Sequence, residues 1–433
     1  MCGIFGYIGR SQKAAQIVLE GLRNLEYRGY DSWGVAILTQ KGNVSVEKHV
    51  GAIGEAILNS QISNLKSNVA IGHTRWATHG GVTGRNAHPH YSSGKNFVVA
   101  QNGIVENFEV LKKGLIKKGF KFATETDTEV IVKLIESRLK GTKSNGVIDL
   151  REAVRLAFKE LEGRNTIIVL DDSGKIIACR NGSPLVVGRN DADIFISSDT
   201  LSFANMATKI VVVDNGQMIQ ADKTGLRSFE IKSGMEKIIK YEQIKVHKDK
   251  VGKGGFEHFM IKEIHEVPKV IENLLSQNHK QLLDLAKEIK KAGQVYTIGS
   301  GTTGIAAAQI AYFLRHFAKV NAIALVGADA YECYDLFGKG DLIVAPSQSG
   351  ETADVLEVLE IAKKKGVKIA SNVNMLGSMM TKMSDFKFMT QAGPEICVVS
   401  TKVFIAHIAW GYLLAKIIAG GGGKVFLRKS KDY

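Results

Sequence analysis

Short apolar runs separated by glycine and polar turns dominate the first half of the chain. Residues 4–8, 35–38, 69–72 and 97–100 read as strands, as do 166–170, 175–178, 184–187, 194–197 and 210–213. Among them, residues 14–24, 127–139 and 150–161 carry apolar side chains at helical spacing. This mixture predicts an α+β unit of stacked antiparallel sheets flanked by helices.

The texture changes near residues 243–255, where Lys245, Lys248, Lys250 and Lys253 crowd a glycine-containing stretch. Beyond it, strand and helix patterns alternate. Strand 295–298 leads through Gly-Ser-Gly into helix 305–317, and strands 322–326 and 342–345 follow. A serine-rich turn then precedes helix 353–365 and strand 367–370. Such alternation predicts an α/β doubly wound parallel sheet. The expected organisation is therefore a first domain over 2–242, a linker over 243–256 and a second domain over 257–433. The run Gly420 to Gly423 is expected to end a helix, leaving too few residues for another domain.

A length of 433 residues fits two or three domains. The net charge of +14 comes from scattered lysines, with no basic run interleaved with aromatics, so a nucleic-acid partner is not expected. Cys2, Cys179, Cys333 and Cys397 are far apart and form no CxxC pair, which suits a reducing cytoplasm and suggests neither a disulfide framework nor a zinc site. No charged segment followed by an apolar one marks a signal peptide. The most apolar stretch, 403–419, is interrupted by His407 and Lys416 and is short for a membrane span, so a buried helix is expected and no membrane partner.

Candidate chemistry begins at the N-terminus. Cys2 is followed by a glycine, and a small residue at position 2 normally permits removal of Met1. The α-amine so exposed titrates at about 7.7–8, where a general base is most useful, and it sits on the same residue as the thiol. Alone, a Met-Cys-Gly start is better read as a buried inert cysteine. The downstream residues change this. His73-Thr74-Arg75-Trp76-Ala77-Thr78-His79-Gly80 packs a guanidinium, an indole and hydroxyls into eight positions, and Asn86-Ala87-His88-Pro89-His90 follows. An apolar strand then delivers Gln101-Asn102-Gly103, and Thr124-Glu125-Thr126-Asp127-Thr128-Glu129 opens a helix with residues suited to capping. His88 and His90, two apart with no third ligand near, give no metal site.

These stretches, with Leu25-Glu26-Tyr27-Arg28-Gly29-Tyr30-Asp31-Ser32, resemble the class II glutamine amidotransferases, specifically the glutamine–fructose-6-phosphate aminotransferases. The resemblance implies an Ntn-hydrolase-like first domain. In it, Cys2 would attack the glutamine carboxamide, and Asn102 and Gly103 would supply the oxyanion hole. Arg75 would grip the substrate carboxylate, Asp127 would pair with its ammonium, and Trp76 would gate the ammonia route. Thr78, His79 and His88 would line the pocket. Gln101 stands where the family commonly has histidine.

In the second half, Gly299-Ser300-Gly301-Thr302-Thr303 and Pro346-Ser347-Gln348-Ser349-Gly350-Glu351-Thr352 each join a strand to a helix. At the second junction hydroxyls converge on a helix N-terminus, as an uncharged phosphate cradle requires. No GxGxxG follows the first strand, so no dinucleotide cofactor is expected. The same segment is the hallmark of sugar isomerase (SIS) domains, and similarity to the aminotransferases continues through Lys262-Glu263-Ile264, Ala392-Gly393-Pro394-Glu395 and Ser400-Thr401-Lys402. By resemblance, Thr303 (usually serine in the family), Ser347, Gln348, Ser349 and Thr352 hold the phosphate of fructose 6-phosphate, and Val398 approaches the sugar.

The family's synthases carry a second SIS domain with isomerising residues after the first, and no counterpart of it is expected within these 433 residues. The expected function is glutamine-dependent formation of glucosamine 6-phosphate and glutamate, in amino-sugar biosynthesis, without cofactor or metal. The chain is expected to form a homodimer, with a separate subunit supplying the missing half. The alternative is a glutaminase joined to a SIS module that senses sugar phosphates without catalysis.

Overall fold

A computed structural model describes residues 2–54, 60–140, 148–243, 252–277, 280–375, 377–397 and 399–420. The chain divides into two compact units, Met1–Lys248 and Asp249–Tyr433.

The described part of the first unit begins with β1 (Gly3–Ile8), α1 (Ala14–Arg23), β2 (Ser32–Leu38), β3 (Val44–Val50), β4 (Val69–Arg75), β5 (His90–Tyr91) and β6 (Phe97–Gly103). Three helices follow, α2 (Phe108–Lys117), α3 (Asp127–Lys140) and α4 (Leu150–Phe158). Strands then return as β7 (Asn165–Asp171), β8 (Ile176–Asn181), β9 (Val186–Arg189), β10 (Ile194–Ser197), β11 (Lys209–Val212), β12 (Gln217–Asp222), β13 (Gly225–Glu230), β14 (Glu236–Lys237) and β15 (Glu242–Gln243). Among the described residues they form one sheet in the order β15-β11-β9-β10-β1-β4-β2-β3 and another in the order β14-β13-β12-β8-β7-β6-β5.

The alternation along β1 shows how the layers arise. Ile4 and Ile8 face a core shared with Val98, Ala100, Ile168 and Ile176 of the second sheet. Phe5 and Tyr7, on the opposite face, meet Ala15, Val18 and Leu22 of α1. Beyond the second sheet, Val99, Ile167 and Val169 pack on Val130, Ile131 and Ile135 of α3 and on Val154 and Phe158 of α4. A period of two in the strands and of 3.6 in the helices thus builds a helix–sheet–sheet–helix stack, the Ntn-hydrolase-like arrangement.

The second unit opens with α5 (Phe259–Ser276) and α6 (Lys280–Lys291). It continues through β16 (Val295–Gly299), α7 (Thr302–Ala318), β17 (Ala322–Val326), β18 (Leu342–Ser347), α8 (Ala353–Lys364), β19 (Lys368–Val373), α9 (Met379–Met383), β20 (Phe386–Met389) and α10 (Lys402–Ile418). The strands pair in parallel in the order β17-β16-β18-β19-β20. One face of the sheet carries Leu342, Val344 and Ala370 against α6, α7 and α10. The other carries Ile343, Ala345 and Ile369 against Val355, Leu356 and Leu359 of α8.

The apolar stretch 403–419 is the buried helix α10, and no described helix is long and apolar enough to cross a membrane. Several elements were not apparent in the pattern. Strand β3 carries Glu47, Lys48 and His49 among its valines, and α5 contains Pro268, which the helical rule counts against it. Helix α7 starts three residues before its apolar signal, which puts Thr303 in its first turn. Within the expected linker, Gln243 ends β15, and 244–251 lie outside the described residues. Most of the glycine run after Gly420 and the tail that follows it also lie outside them.

Candidate active site

Cys2 stands immediately before β1, where Gly3 and Ile4 pair with Thr74 and His73 of β4. That register brings Cys2 beside the end of β4. The Trp76 backbone N–H donates to Cys2 Sγ at 3.3 Å, and the thiol donates to the Trp76 carbonyl at 3.5 Å. The Cys2 carbonyl accepts from Arg28 Nε and from Asn102 Nδ2, each at 3.1 Å. Arg28 in turn lies 3.8 Å from Asp199, both almost fully buried, and Asp199 accepts from the Tyr27 hydroxyl. Removing one partner of such a buried pair costs about 3–5 kcal/mol, so the nucleophile's main chain is firmly held. Burial pushes the Cys2 thiol up, opposed by the Trp76 bond and by the nearby Arg75 and Arg28 guanidiniums. A thiol so placed keeps its proton at neutral pH and needs a base at hand to attack.

Asn102 closes β6. Its Nδ2 also donates to Ser198 Oγ at 2.8 Å, and its Oδ1 receives His73 Nε2 at 3.2 Å. His73 Nε2 lies 2.8 Å from the Gln101 carbonyl as well, so both neighbours of this nitrogen are acceptors and it carries the proton. The Asn102 amide is thereby held with its donors toward Cys2 and Ser198. Gly103 follows with φ +114°, and a Cβ there would collide with the Arg164 carbonyl oxygen, so only glycine fits.

Arg75 spends much of its guanidinium on the loop that follows it. Nη1 donates to the Gly81 carbonyl at 3.2 Å, and Nη2 donates to the Gly80 carbonyl at 3.1 Å and to that of His79. Asp31 receives the Ala77 N–H at 2.8 Å, and Glu125 receives the Gly81 N–H at 3.2 Å and Asn86 Nδ2 at 2.8 Å. Trp76 is exposed, edge-on to Tyr30 at 5.5 Å, while His79 packs against Phe108 at 4.8 Å. Thr78 is exposed on the same loop.

Asp127, the first residue of α3, accepts from the Val105 N–H at 2.8 Å and from Gln101 Nε2 at 3.4 Å, both through Oδ2. Thr126 Oγ1 receives the Glu129 N–H at 3.4 Å, and Glu129 in turn receives the Ala123 and Thr124 N–H groups, which together start the helix. Behind these lie His73, His88 and His90, with ring centroids 4.4 and 4.9 Å apart along the row. Burial lowers the pKa of His73 to about 3 and those of His88 and His90 well below the usual value, so the row is neutral. His88 Nε2 lies 2.9 Å from Thr128 Oγ1.

The first unit therefore gathers Cys2, Trp76, Asn102 and Gly103 directly, with Asp127 and His88 reached through Gln101, Thr128 and His73. The pattern did not single out Arg28, His73, Ser198 or Asp199 as site residues. Arg28 and His73 fall inside stretches that carried the resemblance, but nothing local marks Ser198 or Asp199.

In the second unit, strand order reverses between β16 and β18, and ligands of such sheets bind outside the carboxyl ends of the strands at that reversal. The segment after β16 carries Thr303, whose Oγ1 donates to the Ser300 carbonyl at 2.8 Å. The segment after β18 carries Ser347, Gln348, Ser349 and Thr352. Ser347 Oγ receives the Gly350 N–H at 2.8 Å and Ser349 Oγ that of Glu351 at 3.2 Å, which leaves each hydroxyl proton to donate outward. Gly350 has φ +66°, and a Cβ on it would run into Ser378 Oγ. Thr352 precedes α8 without a side-chain cap bond. Ser300 Oγ, which lies within the first junction's motif but was not among the expected site residues, is buried here without a hydrogen-bond partner among the described residues. Val398 lies outside the described residues.

Residues 73–205 match the family model of the glutamine amidotransferase domain, and residues 288–417 match that of the SIS domain. The glutamine–fructose-6-phosphate aminotransferase (isomerizing) of Pyrococcus horikoshii is 38% identical over 96% of this chain and 69% of its own length. That of Aquifex aeolicus is likewise 38% identical, over the same shares of each chain. The solved glutamine phosphoribosylpyrophosphate amidotransferase of B. subtilis is 18% identical with a TM-score of 0.48, over 94% of this chain and 92% of the other. By its similarity to these curated relatives over nearly all of its own length and 69% of theirs, the chain belongs to the glutamine–fructose-6-phosphate aminotransferase family.

Proposed function

We propose that the first unit releases ammonia from glutamine at Cys2 and that the second holds fructose 6-phosphate as acceptor, giving glucosamine 6-phosphate and glutamate. The observation that carries this reading is the setting of Cys2. Its sulfur is bonded to Trp76, and its carbonyl is held by Arg28 and Asn102.

With Met1 removed, the α-amine of Cys2 takes the thiol proton as sulfur attacks the carboxamide carbon. A C–S bond forms, and the carbonyl electrons move to oxygen, where the Gly103 N–H and one Asn102 Nδ2–H, exchanged from the Cys2 carbonyl or Ser198 Oγ that it holds beforehand, donate to the oxyanion. Collapse breaks the C–N bond, and the α-ammonium returns the proton to the leaving nitrogen. Water then cleaves the γ-glutamyl thioester. Asp127 faces the substrate ammonium, and Arg75, having three of its five N–H groups on loop carbonyls, offers the other two to the substrate carboxylate. Thr78, His79, His88 and Trp76 complete the pocket.

In the second unit, Thr303, Ser347, Gln348, Ser349 and Thr352 receive the phosphate at the N-termini of α7 and α8, where helix dipoles favour an anion. We assign the sugar's C2 carbonyl as the acceptor of ammonia. A homodimer formed through the second unit belongs to the same proposal, supported by exposed Met260, Ile261 and Ile264 on α5 and Ile305 and Tyr312 on α7. A further subunit for the isomerising step and a cytoplasmic setting also belong to it, the latter in keeping with four free cysteines. Incubating the chain with glutamine and fructose 6-phosphate tests the reading. Glutamate should be released and fructose 6-phosphate should bind the second unit, and a chain that releases glutamate but does not bind the sugar phosphate would reject the acceptor assignment.

A further inference from the structure

Gln101 is almost fully buried, and its amide lies between Asp127 and a row of neutral polar groups. Its orientation follows from its neighbours. Asn165 Nδ2 donates to the Glu162 carbonyl at 3.0 Å, which turns Asn165 Oδ1 toward Gln101. Gln101 Nε2 therefore donates to Asn165 Oδ1 at 2.7 Å and to Asp127 Oδ2 at 3.4 Å. Its Oε1 accepts the Thr128 hydroxyl proton at 2.6 Å. Thr128 has one proton and has given it away, so toward His88 Nε2 it can only accept, and His88 is the Nε2–H tautomer. The bonds thus run one way, from His88 through Thr128 to Gln101, and end on the carboxylate. Both of Asp127's hydrogen bonds within the described residues fall on Oδ2, which leaves Oδ1 for a ligand.

We infer that Gln101 is a positioning residue for glutamine selection: its amide, aligned by Thr128 and His88, holds Asp127 with one carboxylate oxygen turned to the substrate ammonium. This rests on the proposed pairing of Asp127 with that ammonium. A neutral amide suits the place, since it directs a donor at the carboxylate without a positive charge that would compete with the substrate or a negative one that would repel Asp127.

The test compares inhibition of glutamine hydrolysis by L-glutamate with inhibition by glutarate, which has both carboxylates and no ammonium. Gln101→Leu keeps the volume and removes the donors. It should raise the inhibition constant of glutamate about tenfold, the scale of a lost hydrogen bond to a charged group, and leave that of glutarate within about twofold. Equal loss for both ligands, or loss for neither, would overturn the inference. Thr128→Val keeps Gln101 but frees its orientation. It should show the same selectivity at about threefold, and it decides the matter by the same criteria if Gln101→Leu does not fold. Asp127→Asn separates the two layers. If it weakens glutamate selectively while both other variants do not, the ammonium assignment stands and the role of Gln101 is wrong. If Asp127→Asn affects glutamate and glutarate alike, the ammonium assignment itself is wrong.

Discussion

Around Cys2 the polar groups are buried and largely paired with one another, whereas the crevice of the second unit presents hydroxyls beside two helix N-termini. In the first unit, Arg28, Asp199, Asn102, Ser198 and His73 share one hydrogen-bonded array whose members come from four separate segments. In the second, the hydroxyls of Ser347 and Ser349 are held by backbone N–H groups two or three residues away. The difference matches two tasks. Bond breaking at Cys2 needs donors fixed before charge develops, which calls for rigid tertiary support. Binding an anion needs only a cluster of donors, which a local turn and two helix starts supply.

Three perturbations sharpen this contrast. The largest effect is expected from Cys2→Ala, which should lower glutamate release by on the order of 10⁴-fold or more while leaving fructose 6-phosphate affinity unchanged. Glutaminase kinetics and calorimetric titration with the sugar phosphate check both halves. Next, Gly350→Ala forces an alanine into a left-handed conformation and against Ser378. It should weaken fructose 6-phosphate binding at least about tenfold and leave glutamate release within about twofold, because the damage is confined to the turn. Parallel losses in both assays would show that the two sites are not separable.

The third perturbation is acid. His73, His88 and His90 are buried neutral in the first unit and His407 in the second, with His73 and His407 at about 3 against an ordinary 6.5. Below pH 6.5 the unfolded chain gains a proton at each of these residues and the folded chain does not. Stability is therefore fully present above that pH and falls as pH drops, by about 1.4 kcal/mol per pH unit for each histidine. Scanning calorimetry at pH 7.5 and 5.5 should show the transition of the first unit shifting down more than that of the second. Equal shifts would mean the histidine row is not held neutral by the fold.

The same contrast governs what the sequence made legible. The cradle proposed for the second unit was readable because all its donors but Thr303 lie within seven consecutive positions, 346–352, between a clear strand and a clear helix. The residues proposed to act in the first unit stand together in motifs. Their supports do not. Ser198 and Asp199 reach Asn102 and Tyr27 across 96 and 172 positions, and no local pattern announces a pairing made only when β10 docks beside β1. Gln101 was visible as an unusual residue, but its link to Asp127 and Asn165 depends on the pairing of β6 with β7. Strand β3 escaped notice because its face toward solvent carries charged residues, and α5 because it tolerates Pro268.

The central claim is that Cys2, with its own amine free, carries the glutamyl group. Mixing the protein with glutamine, quenching in acid within milliseconds and mapping peptides by mass spectrometry tests this directly. The account predicts an N-terminal peptide that begins at Cys2 and bears one thioester-linked glutamyl group. An active protein that retains Met1, or that carries the adduct on Cys179, Cys333 or Cys397, would contradict it.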